Sequence, residues 1–184
     1  MLRMGVLVLG LALALQAQGE GVSPSSLRCE RLAQPLGFDS ELMRQRSLVS
    51  AGDAARIQAV LAKARRGEPI CVAAIGGSIT AGGQNTKDPK RRYVQQVAKW
   101  FENTFPGLKV RCVNAGIGAT NSGYGALRVQ RDVIAQQPDL VIVEYAVNDS
   151  TEGEMDESYE GVLRQLLGSS TSLAVIALSF MHKD

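Results

Sequence analysis

The stretch Ile75-Gly-Gly-Ser-Ile-Thr-Ala-Gly-Gly83 decides the fold of this 184-residue chain. It follows directly on the apolar run Ile70 to Ile75, which is typical of a buried strand. A serine on a tight bend after a strand exposes its hydroxyl, and glycines there let the backbone approach a substrate closely. Taken alone, the pattern does not separate a nucleophile from a phosphate-binding loop or a simple turn.

Two further apolar runs are each followed by a polar segment. Val110 to Val113 precedes Asn114-Ala-Gly-Ile-Gly-Ala-Thr-Asn-Ser122, and Leu140 to Val143 precedes Glu144-Tyr-Ala-Val-Asn-Asp149. The ligand crevice of a parallel α/β sheet lies outside the carboxyl ends of its strands. We therefore expect all three polar segments to converge on one site, with Glu144 and Tyr145 placed to line it.

Helical patterns separate these runs. Apolar periodicity predicts helices over residues 53–66, capped by Asp53, and over 93–105, near 126–136 and over 155–167. Residues 173–180 form a fourth apolar run. Strands that alternate with helices of about 10–15 residues indicate crossover units and a parallel sheet.

The amino terminus has the order of a secretory signal peptide. Arg3 precedes the apolar run Val6 to Leu15, and the small residues Ala17 and Gly19 follow. The run is ten residues long, whereas a bilayer core of about 30 Å needs about 20. We predict a signal peptide over 1–19, an irregular lead-in over 20–52 and one domain over 53–184. The protein is then secreted, periplasmic or extracellular, with no stable membrane insertion after cleavage; an uncleaved anchor is the alternative.

Composition sets further limits. The chain is 45% hydrophobic and 21% charged, with a net charge of +2, which favours a globular domain and no nucleic-acid partner. Cys29, Cys71 and Cys112 are an odd count, and the last two fall inside strand runs. We interpret Cys71 and Cys112 as small buried hydrophobes rather than a disulfide. No Cys/His spacing predicts a metal, and we expect no cofactor.

The three polar segments together resemble the SGNH (GDSL-type) hydrolase superfamily over residues 53–180. Gly-Gly-Ser78-Ile-Thr resembles the serine block, Asn114-Ala-Gly-Ile-Gly118 the glycine block and Val147-Asn148-Asp149 the asparagine block. The family's fourth block, Asp-x-x-His, is absent. The resemblance implies a flavodoxin-like three-layer α/β/α sandwich with a parallel sheet. Family members add a fifth strand and a final helix, so we expect a sheet cut after its fourth strand, either as a fragment or with an exposed edge.

The resemblance also implies roles for individual residues. Ser78 is the nucleophile, and its backbone N–H is one oxyanion donor. The Asn148 amide is a second donor, and the N–H of Gly118 or Ala119 a third, because many relatives have a second glycine where Ala119 stands. We interpret Asp149 as a local cap rather than a catalytic acid.

His182 is the only histidine, but we interpret it as incidental. The family's base follows an aspartate by three residues, and residue 179 is serine. In the family's strand order the fourth strand lies two places from the first, about 10 Å away, whereas a base must lie within about 3 Å of its proton.

The predicted function is that of a secreted serine esterase acting on small acyl esters, with acetylated carbohydrate as the substrate that the family implies. Two alternatives stay open. The first is a catalytically dead glycan-binding module of the same fold, which the missing base favours. The second is an acyltransferase, which a sugar acceptor would reveal by diverting the acyl group from water.

Overall fold

A computed structural model describes residues 48, 50, 52–83, 86, 88–149 and 155–179. The chain divides into two compact units, residues 1–58 and 59–184. The predicted signal peptide, nearly all of the lead-in, Cys29 and His182 lie outside the described residues. Within the described ranges, no helix combines the length and apolar composition needed to cross a bilayer.

Among the residues that the structure describes, four parallel strands form one sheet. They are β1 (Ile70–Gly76), β2 (Val110–Gly116), β3 (Leu140–Glu144) and β4 (Ala174–Ala177), in the order β2-β1-β3-β4. Val72 of β1 pairs with Cys112 of β2 and with Leu140 of β3. The parallel α/β sheet predicted from the sequence is confirmed, and β4 lies two places from β1.

In the described part of the chain, five helices accompany these strands. They are α1 (Ala55–Arg65), α2 (Ser78–Ala81), α3 (Tyr93–Thr104), α4 (Ser122–Asp132) and α5 (Met155–Ser169), with 3₁₀ turns at Pro89–Arg91 and Ile134–Gln136. The Asp53 carboxylate accepts a hydrogen bond from the N–H of Ala55 at 2.9 Å, as its predicted capping role requires.

Helix α4 begins four residues before the predicted start at 126. The Asn121 side chain accepts a hydrogen bond from the Tyr124 N–H at 3.1 Å and so caps this end. Gly123 and Gly125 lie in the first turn of α4, and because glycine disfavours helix, the sequence does not predict a helix there. A Cβ at Gly125 would overlap the Tyr145 hydroxyl, so glycine here reflects tight packing and not a break in the helix.

Helices cover both faces of the sheet. On one face, alternate residues of β1 and β3 pack with α4 and α5 in a single apolar cluster, which includes Ala73, Ile75, Val129, Val141, Val143, Val162 and Leu166. The intervening residues Val72, Ala74 and Ile142 are equally buried on the other face. Helix α3 packs against β1 and β2 through an apolar side that includes Val94, Val97 and Phe101. The result is the three-layer arrangement.

Cys71 and Cys112 are free thiols. Cys71 lies opposite Arg111 and Cys112 opposite Val72, so the two thiols point to opposite faces of the sheet. Burial raises the pKa of the Cys112 thiol to about 11 and also raises that of Cys71. Cys71 is a small buried hydrophobe, as predicted, whereas Cys112 is only partly buried, and the predicted absence of a disulfide between them is confirmed.

Candidate active site

The three predicted polar segments meet at the carboxyl end of the sheet. Ser78 opens α2 directly after β1, Gly118 follows β2, and Asn148 follows β3. A Cβ on Gly118 would lie 4.0 Å from the Ser78 Cβ, and one on Gly77 would lie 2.5 Å from Asn148 Nδ2. The fold therefore brings the serine, the glycine loop and the asparagine amide into one place.

Two glycines allow the chain to turn so sharply here. A Cβ at Gly76 would overlap the Thr80 hydroxyl and the Glu144 carbonyl oxygen. A Cβ at Gly116 would overlap the backbone of Thr80 and Ala81. The last two residues of α2 thus pack backbone against backbone on the end of β2, which holds the short helix that begins with Ser78.

Asn114, the first residue of the glycine block, anchors α2 to β2. Its Nδ2 donates to the Thr80 carbonyl oxygen at 2.7 Å, and its Oδ1 accepts from the Gly116 N–H at 2.9 Å. The Asn114 side chain therefore links the serine block to the glycine block through two hydrogen bonds. The sequence marks it only by its place after an apolar run, and we did not predict this role.

The Asn148 side chain is held by the glycine loop. Its Nδ2 donates to the Thr120 carbonyl oxygen at 2.7 Å. A primary amide has two N–H donors, so this bond orients the group and leaves the second N–H without a partner among the described residues. The neighbouring Asp149 accepts a hydrogen bond at 2.8 Å from the N–H of Ser122, the first residue of α4. This bond joins the asparagine block to a segment 27 residues away, so Asp149 is not the local cap that the sequence predicted.

Ala119 adopts a backbone conformation that favours glycine. Its φ is 58°, in the left-handed region, which costs an alanine roughly 1–2 kcal/mol. The turn is closed by the Thr120 hydroxyl, which donates to the Ile117 carbonyl oxygen at 2.8 Å. Ala119 therefore adopts the backbone conformation that a glycine would adopt at this position. The hydrogen bond of Thr120 holds the turn, and the turn fixes the directions of the Gly118 and Ala119 N–H groups.

An open pocket of about 510 Å³ lies beside these groups, and its lining comprises Ala119, Thr120, Asn121, Tyr124 and Asn148. Tyr124 is 47% exposed. A lining that combines polar side chains with an exposed aromatic ring suits a ligand that has hydroxyl groups and apolar faces.

A buried polar group lies beneath α2, and we name Glu144, Thr80 and Tyr93 the Glu144 cluster. The Tyr93 and Thr80 hydroxyl oxygens are 2.9 Å apart, and the Thr80 hydroxyl donates to Glu144 Oε2 at 3.4 Å. Glu144 Oε1 has no partner among the described residues. Desolvation raises the pKa of Glu144 above its ordinary value.

A second buried group, the Arg128 cluster of Arg128, Asp132 and Tyr145, lies under the glycine loop. Arg128 is 4% exposed and forms an ion pair with Asp132 at 3.1 Å. The expectation that Glu144 and Tyr145 line the crevice is wrong, because both side chains are almost fully buried, at 1% and 0% exposure. The one sequence signal for Arg128 is its spacing from Asp132, i to i+4.

The base and any metal site have no counterpart in the described part of the chain. There, the Ser78 hydroxyl makes no hydrogen bond, and no three His, Cys, Asp or Glu side chains are grouped closely enough to hold a metal ion.

Comparisons with known proteins identify the family of this chain. The model of the GDSL-like lipase/acylhydrolase family matches residues 74–180. That is more than half of the chain, so the chain belongs to this family, as the resemblance predicted. No curated protein sequence matches the chain.

Solved structures agree. A two-domain esterase active on acetylated mannans is 37% identical to this chain, with a TM-score of 0.66 over 70% of this chain and 34% of the esterase. The structure of the same esterase co-crystallised with mannopentaose is 36% identical to this chain, with a TM-score of 0.65 over 68% of this chain and 34% of the esterase. The chain thus spans about a third of that esterase's length. AlinE4, an SGNH-hydrolase family esterase, is 24% identical with a TM-score of 0.50, over 60% of this chain and 58% of AlinE4, and shares the fold.

Proposed function

We propose that this chain is a serine esterase in which Ser78 is the nucleophile. Family membership supports carboxylic ester hydrolysis at the level of the class. The observation that carries the residue assignment is the convergence of Ser78, the Gly118–Ala119 loop and the Asn148 amide at one edge of the sheet.

In the proposed reaction, Ser78 Oγ attacks the ester carbonyl carbon and gives up its proton to a base. The carbonyl oxygen becomes an oxyanion, which accepts hydrogen bonds from the Ser78 N–H, the N–H of Gly118 or Ala119, and the Asn148 amide. The C–O bond to the alcohol then breaks and the alcohol leaves with a proton. Water hydrolyses the acyl-serine and restores Ser78.

Acetylated carbohydrate is the proposed substrate. The 37% identical two-domain esterase is active on acetylated mannans, and the pocket offers the Thr120, Asn121 and Asn148 side chains together with the exposed Tyr124 ring. A short acyl group bound near Ser78 would leave the sugar over this pocket.

We also propose secretion, supported by the Arg3-led apolar run. The mature amino terminus should lie between Gln16 and Gly21, and sequencing of the exported protein tests this.

The central experiment removes the amide donor. In the full chain, Asn148→Ala should lower kcat for p-nitrophenyl acetate by about 10²–10³, the scale for losing one oxyanion donor, with little change in KM. Asn103→Ala, which removes an exposed amide of α3, is the matched control and should leave kcat unchanged. An Asn148 variant within threefold of wild type would contradict the donor role, and turnover retained by Ser78→Ala would contradict the nucleophile.

A glycan-binding module without turnover is the second candidate. It is favoured by the serine at position 179, where the family's aspartate would precede its histidine. Calorimetric binding of an acetylated mannan oligosaccharide by a wild-type chain that releases no acetate, unchanged in Ser78→Ala, would support it over the esterase.

A further inference from the structure

One buried guanidinium touches the ends of all three strands that carry the site. Arg128 Nη1 donates to the Ala115 carbonyl oxygen of β2 at 2.7 Å. Arg128 Nη2 donates to the Gly76 carbonyl oxygen of β1 at 3.4 Å and to the Tyr145 hydroxyl, directly after β3, at 3.1 Å. Among the described residues, these contacts link three chain segments that are far apart in sequence.

Each contact lies next to a proposed catalytic group. Gly76 is two residues before Ser78, and Ala115 is three residues before Gly118. The Tyr145 carbonyl oxygen accepts the Asn148 N–H at 2.9 Å. We propose that Arg128 is a positioning residue, whose guanidinium fixes the nucleophile, the loop donor and the amide donor relative to one another. The inference rests on the proposed function.

Stability alone does not account for an arginine at this place. Exchanging a buried ion pair for apolar side chains is often neutral or stabilising, because desolvation offsets the Coulomb attraction. A guanidinium, however, offers five N–H donors in a rigid plane, which lysine cannot imitate. Such a fork suits acceptors on three separate strands. The Gly76 carbonyl oxygen, which Arg128 binds, also accepts the Ile117 N–H at 3.0 Å. This one oxygen therefore joins the guanidinium to the ends of both β1 and β2.

The surroundings make Arg128 a clean target for substitution. Its counter-ion Asp132 also pairs with Arg131 at 2.6 Å, so removing Arg128 leaves Asp132 with a cation. Arg131 is 78% exposed and lies on the same helix, and it touches none of the strand ends through any contact described above. Arg131→Met is therefore the matched control for Arg128→Met.

The expected effect falls on kcat. A misplacement of about 1 Å at a catalytic site costs about 10²-fold in rate, whereas the substrate pocket does not include Arg128. In the full chain, Arg128→Met and Arg128→Lys should lower kcat for p-nitrophenyl acetate by about 10–10² with KM within about threefold. Labelling of Ser78 by a fluorophosphonate should slow by the same factor, and Arg131→Met should match wild type in both.

Chemical rescue separates positioning from a general loss of structure. Guanidinium chloride at about 10 mM, far below denaturing molar concentrations, should restore part of kcat in Arg128→Ala and none in Asn148→Ala. Tyr145→Phe, which deletes one of the four contacts and keeps the charge, should lower kcat by about threefold or more, because the guanidinium loses the acceptor that ties it to the end of β3. It provides the test if the arginine variants do not fold.

The outcomes distinguish the two proposals. A wild-type chain without Ser78-dependent turnover or labelling overturns the proposed function, and this inference with it. An active wild type whose folded Arg128 variants keep kcat within threefold, or whose Tyr145→Phe variant keeps full kcat where those do not fold, overturns the inference alone. A kcat loss with unchanged KM and guanidinium rescue supports it.

Discussion

Glu144 and Tyr145 are neighbours at the end of β3, yet their side chains enter opposite layers and meet different surroundings. Tyr145 joins the Arg128 cluster, in which the two Nη atoms of the guanidinium have several oxygen acceptors and an ion-pair partner, while Nε has no partner among the described residues. Glu144 joins the Glu144 cluster, in which Oε2 accepts a long hydrogen bond from Thr80 at 3.4 Å and Oε1 has no partner within hydrogen-bond distance among the described residues. A backbone contact from Val147 and the Thr80 bond do not offset the burial of the carboxyl. The Arg128 cluster stabilises the charged guanidinium, whereas the Glu144 cluster disfavours the charged carboxylate.

This difference shows how the two sides of the site are supported. Under the glycine loop, a compensated charge with directed hydrogen bonds fixes carbonyl oxygens of separate strands. Under α2, burial raises the pKa of Glu144, so the charged form of this carboxyl is disfavoured there relative to water. We expect the first cluster to govern geometry and the second to govern the response to pH.

Gly76→Ala should break both clusters at once. The new methyl group would overlap Thr80 and the Glu144 carbonyl oxygen and displace the carbonyl that Arg128 binds. We expect the free energy of unfolding to fall by about 3 kcal/mol, the upper range for overpacking. Urea unfolding measures it. Gly161→Ala, where a Cβ meets nothing within 4 Å, should instead stabilise the chain by about 0.5–1 kcal/mol; equal losses in both variants would refute the steric explanation.

Deleting one hydroxyl from each cluster should separate a charged hydrogen bond from a neutral one. Tyr145→Phe removes an acceptor of Arg128 and should cost about 1.5–3 kcal/mol of unfolding free energy. Thr80→Val removes the bridge between Tyr93 and Glu144 and should cost about 0.5–1.5 kcal/mol. Urea titrations at one pH compare the two variants. A larger loss in Thr80→Val would reverse the ranking of the clusters.

Glu144→Gln should change the pH dependence of stability and little else. Because the folded pKa of Glu144 is raised, the folded state binds the proton more tightly than the unfolded state does. This contribution is complete below the ordinary value of 4.5 and is lost as pH rises through the raised pKa, with a slope of at most about 1.4 kcal/mol per pH unit. Unfolding measured from pH 4 to 8 should therefore show a decline in wild type that is absent in the glutamine variant. Parallel curves would mean that Glu144 is already ionised in the folded protein.

The sequence predicts the parts of this molecule that depend on local pattern. Apolar runs that end in polar segments predict the strands, the parallel sheet and the convergence of Ser78, Gly118 and Asn148. The buried polar residues could not be predicted, because burial of Arg128 or Glu144 is decided by segments distant in sequence. The start of α4 was missed for a related reason: Gly125 disfavours a helix locally, but the Tyr145 ring occupies the space that a side chain would need.

The central position of β1 also sets the order in which the molecule can assemble. Val72 pairs with Cys112, 40 positions later, and with Leu140, 68 positions later. Closing such long loops before any pairing stabilises them slows folding. During synthesis, the strand that leads to Ser78 is made first and gains its second neighbour only after β3 has been translated. A delay of this kind leaves the strand that leads to Ser78 without its second pairing partner while the intervening segments are still being made.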